Sequence, residues 1–356
     1  MIADEKIGAV AVNAGPTLKY LTGMEFHLSE RPAVLIISQA KKPVFIFPEF
    51  ESGKVKNAPI DLDPFPYSED RDSWPASFRK AILSLKLADN HIGVEPTAFR
   101  FLEYALLTNA DPKTKLVSAQ NIIESLRILK DEAEIKYMKQ AILIAEKAFE
   151  KTLTFIQEGR TENEIANELV VNLLRSGSEP DLPFAPIVAS GPNSANPHAA
   201  PGDRPISEGD LLIIDFGARS QGYISDITRT FAISSINDDL REVYQTVQKA
   251  NEFARKAKGQ KTTGKDIDTR AREVIQNAGY GDFFVHRTGH GIGLEAHEAP
   301  YISADNTSPI LPGMTFTIEP GIYLPGRGGV RIEDNILARE NHLESLTSFN
   351  RNLRIL

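Results

Sequence analysis

The run Asp210-Leu-Leu-Ile-Ile-Asp215-Phe-Gly is too apolar to lie on a surface, yet it ends on a carboxylate. Burying that charge is costly unless something compensates it, so the strand has to deliver its acid to a partner. Eleven residues after Asp215, the stretch Tyr223-Ile-Ser-Asp226-Ile-Thr-Arg-Thr-Phe reads as a second strand, and the turn-type residues Ala218 to Gly222 between them predict a hairpin. With the loop centred on Ser220 and Gln221, Asp215 and Asp226 face each other across neighbouring strands, their side chains about 5 Å apart. Two like charges at that distance repel. Either a divalent cation removes the repulsion, or Arg219 or Arg229 reaches in and neutralises the pair.

The layout recurs near the C-terminus. Glu319 ends Met314-Thr-Phe-Thr-Ile-Glu319-Pro-Gly, and Glu333 lies in Gly329-Val-Arg331-Ile-Glu333-Asp334. Both sit in β-branched runs separated by a Pro- and Gly-rich loop, Pro320 to Gly329, so a second strand pair again presents two acids. Arg331 is two residues before Glu333 in an alternating strand, which puts it on the same face to orient that carboxylate or to bind substrate. Between the acid clusters, His286-Arg-Thr-Gly-His290-Gly-Ile-Gly-Leu-Glu-Ala-His297 holds three of the seven histidines. Gly289, Gly291 and Gly293 place Leu294 where a dinucleotide fingerprint needs its last glycine, which excludes that reading. Glycines on both sides of an imidazole allow close backbone approach, suiting His290 as a metal ligand and His297 as a donor on the substrate side. A polar loop, Ala189-Ser-Gly-Pro-Asn-Ser-Ala-Asn-Pro-His198, is expected to hold His198 over a cleft.

At 356 residues the chain calls for two domains, each with its own core. Hydrophobic residues at 41% and charged residues at 25% exclude a largely disordered chain. A formal charge of −8 argues against a nucleic-acid partner. With no cysteine, any metal must be held by oxygen and imidazole, and a reducing compartment is expected. The start MIADEKIGAV has no basic segment followed by an apolar run, and no stretch reaches the roughly 18 apolar residues of a membrane span, so the expectation is a cytoplasmic protein with no membrane partner.

Strands are predicted at Ile7 to Val12, Ala33 to Ser38, Pro43 to Phe47 and Ile92 to Val94, and a helix at Trp74 to Leu87. A crossing segment, Asn121 to Lys130, follows. From Asp131, the residues Ile135, Met138, Ile142, Ala145, Phe149, Leu153 and Ile156 recur at steps of three and four, one face of a helix running to Gly159. Thr161 with Glu164 forms a capping box that opens a second helix, ending near Gly177. Further helices are expected at Leu240 to Lys258 and Lys265 to Ala278.

In order, spacing and flanking glycines, Asp215, Asp226, His290, Glu319 and Glu333 resemble the five-ligand set of the pita-bread metallopeptidases: prolidase, aminopeptidase P, methionine aminopeptidase and the related creatinase. The resemblance covers roughly residues 120 to 350. The N-terminal region, including Lys19-Tyr-Leu-Thr-Gly, resembles the first domain of the prolidase and aminopeptidase P branch, a domain that methionine aminopeptidases lack. The resemblance implies a mixed α+β and α/β chain, with a small α/β domain over residues 1–122 and a pita-bread catalytic domain over 123–356. It implies two divalent cations, Mn²⁺ or Co²⁺ first, with Fe²⁺ or Zn²⁺ also suited. Asp226 and Glu333 would bridge them, Asp215 would complete one, and His290 with Glu319 the other. Glu319 would carry the proton, and His198 and His297 would contact the substrate carbonyl and the developing charge. The implied activity is hydrolysis of bonds preceding proline in di- or oligopeptides by a homodimer. An Xaa-Pro dipeptidase is favoured over an Xaa-Pro aminopeptidase. A creatinase-like hydrolase or a non-catalytic binding protein is the remaining reading. A dipeptidase needs a cation for the substrate carboxylate, and Glu298-Ala-Pro-Tyr301 offers none, so the clamp falls to Arg331, Arg287 or a partner subunit, with Arg331 first.

Overall fold

The computed structural model describes residues 7–39, 41–87, 90–257 and 262–356. The chain divides into two compact units, Met1–Leu126 and Arg127–Leu356. Strands of the first unit are β1 Ala9–Asn13, β2 Val34–Ser38, β3 Val44–Pro48, β4 Asp63–Tyr67, β5 His91–Val94 and β6 Lys115–Ser118. They form one mixed sheet in the order β4-β3-β2-β1-β5-β6. Helices α1 Pro16–Thr22, α2 Ser52–Lys56, α3 Trp74–Leu85 and α4 Phe101–Ala110 connect them, and α5 Gln120–Arg127 follows. The sequence does not announce β4, Asp-Pro-Phe-Pro-Tyr, because two prolines argue against a strand. Its place at the sheet edge explains them: the Asp63 amide donates inward to the Pro43 carbonyl, so by alternation Pro64 and Pro66 occupy outward positions that need no donor.

In the second unit, α6 Glu132–Leu153 and α7 Glu162–Arg175 are both opened by capping boxes, Asp131 with Glu134 and Thr161 with Glu164. The first stops at Leu153, short of the Gly159 expected from periodicity, although Ile156 is still buried in the same core. The pair covers a three-stranded antiparallel sheet made of β7 Ile187–Ser190, β8 Leu211–Phe216 and β11 Ile227–Ala232, with Ile142, Phe149 and Leu169 packed on Leu212, Ile214 and Phe231. Between β8 and β11 lies a short ribbon, β9 Arg219–Ser220 and β10 Tyr223–Ile224.

The plan then repeats. Helices α8 Asp238–Arg255 and α9 Gly264–Asn277 cover a sheet of β12 Gly289–Gly291, β13 Glu298–Ile302, β14 Thr315–Ile318, β17 Asp334–Ala338 and β18 Leu343–Ser345, with β15 Gly321–Leu324 and β16 Gly328–Arg331 forming a separate ribbon. Val243, Val247, Ile267 and Ala271 meet Phe316 and Ile336 in that core. This doubled helix-pair-on-sheet layout is the pita-bread architecture. The expected helix end at Lys258 lies outside the described residues. No described helix is long and apolar enough to cross a membrane.

Candidate metal centre

The first acid pair is set by a register that differs from the sequence expectation. Tyr223 pairs with Ser220, so the ribbon turns at Gln221 and Gly222, which both take positive φ (53° and 84°) as a type I′ turn demands. The turn centre therefore moves by one residue and the pairing by two, and Asp215 opposes Thr228 instead of Asp226. Asp226 sits diagonally, just before β11. A shift of two preserves the face, so both carboxylates still point to the same side. In the second pair, Ile318 opposes Asp334 and Gly321 opposes Arg331. Both pairings continue one register, which sets Glu319 opposite Glu333. The segment Pro320 to Gly329, read as a loop, is mostly the β15–β16 hairpin.

His290 reaches the acids because Gly289 and Gly291 let its strand lie against its neighbours. A Cβ at Gly289 would stand 1.9 Å from the Thr317 carbonyl oxygen, and one at Gly291 would stand 2.2 Å from that of Ala299. His290 Nδ1 lies 3.1 Å from the Gly291 carbonyl oxygen, an acceptor, so this nitrogen carries the hydrogen and the Nε2 lone pair points to the acids. Nε2 is 3.3 Å from Glu319 Oε1 and 3.8 Å from Asp226 Oδ2. One ligand atom each from Asp226, His290 and Glu333 lies within 4.8 Å of the others. Asp215 and Glu319 line the same cavity outside that triplet.

The alternative neutralisation by Arg219 or Arg229 does not occur. Arg219 donates to the Asp181 and Gly222 carbonyls, and Arg229 pairs with Asp334. Among the described arginines Arg331 alone pairs with one of the cluster's acids: its Nη2 donates to Asp215 Oδ2 at 2.7 Å. The expected contact with Glu333 is indirect. Thr228 Oγ1 donates to Glu333 Oε2 at 2.6 Å and accepts from Arg331 Nε at 3.1 Å. Arg331 Nη1 donates to Tyr323 Oη at 2.9 Å and to the Pro197 carbonyl at 3.1 Å. Tyr323 Oη in turn lies 2.9 Å from His286 Nε2. Thr228, Tyr323 and His286 received no role from the sequence. For Thr228 and Tyr323 the signal was available, since Thr228 stands two residues from Asp226 and Tyr323 four residues from Glu319.

Four carboxylates with one arginine leave the centre short of positive charge. Burial first, then repulsion from Glu333, Asp215 and Glu319, holds the Asp226 carboxyl well above its usual range. Burial with Glu319 and Asp215 does the same to Glu333, against the Thr228 hydrogen bond. Burial would also raise Glu319, but the contact with His290, together with His286 and Arg331, outweighs it and brings Glu319 below its usual range. Asp215 Oδ1 and Asp226 Oδ1 are buried with no hydrogen-bond partner. Orphaned carboxylate oxygens, a lone pair aimed among them and mutual repulsion are what a site for divalent cations requires, so the donor set fits.

The cavity above these groups encloses about 600 Å³. Phe184, Ala185, Ile187, Pro197 and Ala296 give it an apolar wall, and His198 and His297, both exposed, stand at its mouth. The His297 and His290 rings meet edge to face, with centroids 4.1 Å apart. Desolvation, with the charges of His290 and Arg287, lowers His297 to about 4, so it is neutral at physiological pH. Arg287 also lines the cavity, its guanidinium 4.5 Å above the Tyr301 ring.

Residues 136–340 match metallopeptidase family M24, and residues 1–129 match the Creatinase/Prolidase N-terminal domain. An Xaa-Pro dipeptidase from Pyrococcus furiosus is 42% identical over 265 residues, 74% of this chain and 75% of that protein. A dipeptidase from Pyrococcus horikoshii OT3 superposes with a TM-score of 0.93 at 40% identity, covering 100% of this chain and 98% of that one. An X-Pro aminopeptidase from Thermotoga maritima MSB8 gives 0.86 at 34% identity, covering 100% and 97%.

Proposed function

The chain belongs to metallopeptidase family M24, and on that premise we propose that it hydrolyses Xaa-Pro dipeptides, with Asp215, Asp226, His290, Glu319 and Glu333 holding two divalent cations, Mn²⁺ or Co²⁺. The observation that carries this reading is one cavity that sets four carboxylates and an imidazole lone pair against an apolar wall. The cations supply Lewis-acid activation of water and of the scissile carbonyl. Everything else falls to the chain. Glu319, at the edge of the cluster, accepts the proton from the attacking water and returns it to the leaving nitrogen. Its carboxyl lies below the usual range because the contact with His290 and the nearby His286 and Arg331 outweigh its burial. His297, neutral, and His198 donate to the oxygen on which charge develops. Phe184, Ile187 and Ala296 receive the pyrrolidine ring and keep water from it.

The carboxylate clamp passes from Arg331 to Arg287. Arg331 is 3% exposed, and its guanidinium is engaged by Asp215, Thr228, Tyr323 and the Pro197 carbonyl, which supports a part in orienting ligands over one in binding the substrate carboxylate. Arg287 lines the cavity with a ring contact, and among the described residues no ion pair holds its guanidinium from an anion. A cytoplasmic homodimer completes the proposal. A cysteine-free chain suits that compartment, and light scattering during size-exclusion chromatography tests the dimer.

Chelator-stripped protein reloaded with Mn²⁺ should cleave Ala-Pro far faster than Ala-Pro-Ala, because one more residue moves the carboxylate about 3.5 Å from its clamp. Arg287→Met should erase that preference by slowing Ala-Pro alone. Faster cleavage of the tripeptide moves the assignment to an Xaa-Pro aminopeptidase, the activity named for the Thermotoga relative. Hydrolysis of neither peptide at full metal loading refutes the peptidase reading.

A further inference from the structure

His198 stands at the cavity mouth with its ring exposed, and among the described residues no hydrogen bond holds that ring. Its position is therefore set by the backbone of its loop, residues 190–202. The loop in turn closes on one buried carboxylate. Glu162, the first residue of α7, is 0% exposed. Its Oε1 accepts from the Ser190 amide at 2.7 Å, from Ser190 Oγ at 2.8 Å and from Asn193 Nδ2 at 3.3 Å. Its Oε2 accepts from Asn193 Nδ2 at 3.0 Å and from the Gly202 amide at 3.0 Å. One side chain thus ties the start of the loop to its end.

A carboxylate without exposure normally lies against a cation. Here the nearby Arg204 is committed to Asp210, with contacts of 2.6 and 2.9 Å, and to Ser190 Oγ at 2.5 Å. The Glu162 charge is met instead by the loop's own donors and by the N-terminal end of α7, where negative charge is favoured. Burying it costs stability unless the loop is closed, so the closed loop is the state in which Glu162 is satisfied. The middle of the loop is tied to the site as well. Gly329 N donates to Ser194 Oγ at 2.8 Å, and the Pro197 carbonyl accepts from Arg331. His198 is the next residue.

We propose that Glu162 is a positioning residue for the reaction, a buried carboxylate that closes the 190–202 loop and so fixes His198 over the cavity. This rests on the peptidase reading only for the role of His198 on substrate. The loop closure itself is independent of that reading.

The test uses the full chain loaded with Mn²⁺. Glu162→Gln replaces one acceptor by an amide group that faces the Asn193 and Gly202 donors, so hydrogen exchange over residues 190–202 should accelerate while that of β14 and β17 does not. Metal content should stay at the wild-type value. Turnover of Ala-Pro should fall about 10- to 100-fold, as for loss of a supporting hydrogen bond behind a working group. In a His198→Ala background the same substitution should cost nothing further. Ser190→Ala and Asn193→Ala remove donors from the loop side and should give smaller effects of the same kind if Glu162→Gln does not fold. Unchanged exchange over 190–202, or losses that add fully to that of His198→Ala, overturns the proposal. If the wild-type enzyme cleaves no proline peptide, the functional reading fails and the exchange measurement alone decides the role of Glu162.

Discussion

Adding a single methyl group beside His290, in Gly289→Ala, tests whether close strand approach builds the metal centre. The new Cβ would lie 1.9 Å from the Thr317 carbonyl oxygen and 2.7 Å from its carbon. Ordinary carbon contacts begin at about 3.5 Å, so β14 would have to retreat by about 1.5 Å. That strand cannot move alone, because all four of its residues are paired with β17. Overpacking of this kind costs about 1–3 kcal/mol, and the upper end applies here because the obstacle is backbone and not a flexible side chain. For the 230 residues from Arg127 to Leu356, about 3 kcal/mol corresponds to a Tm lowered by roughly 6–12 °C. Glu319 follows Thr317 by two residues, so the retreat also pulls its carboxylate from His290. Mn²⁺ affinity by calorimetry should fall at least about tenfold, the scale of a supporting-shell defect. Gly53→Ala is the control: nothing lies within 4 Å of a Cβ there, and its position in α2 predicts no loss. A Gly289→Ala variant with wild-type Tm and wild-type Mn²⁺ affinity would show that the close approach is not needed.

Metal binding should release protons just above the usual carboxylate range, about pH 5, because Asp226 and Glu333 hold theirs above that range in the metal-free protein. As pH rises through that range the unfolded chain gives up protons that the folded chain keeps, so the metal-free protein loses stability and the Tm gain from Mn²⁺ should be larger at pH 7 than at pH 5. Calorimetric enthalpies that do not vary with the ionisation enthalpy of the buffer would contradict this. Asp226→Asn should abolish Ala-Pro hydrolysis by emptying the site, since one anionic ligand is lost; elemental analysis finding normal metal in the inactive variant would place Asp226 in the chemistry instead. His297→Ala should keep its metal while kcat falls about 10²- to 10³-fold, the value of one transition-state donor, and loss of metal would refute that role.

Much of this was legible in the sequence because it is local. An acid at the end of an apolar strand, glycines flanking a histidine, and the capping box at Thr161 depend on neighbouring residues, and alternation fixes which face each acid takes even when the pairing slips by two. Other features were not local. The type I′ turn at Gln221 and Gly222 places a non-glycine residue at positive φ, which the usual turn residues do not signal, so the Asp215 partner was misjudged. The prolines of β4 became admissible only once the strand lay at an edge. Arg331 alternates with Glu333 and so shares its face, but the distance to Asp215, a residue 116 positions away, decided which acid it holds. That choice engages the Arg331 guanidinium with Asp215 at the cavity wall, where Arg287 also stands. The same holds for Glu162, where the sequence shows only the middle of a capping box, and burial against a loop that starts 28 residues later gives the carboxylate its work. Residue type and spacing determined which groups could meet a cation; packing of segments far apart in the chain decided which of them are free to meet substrate.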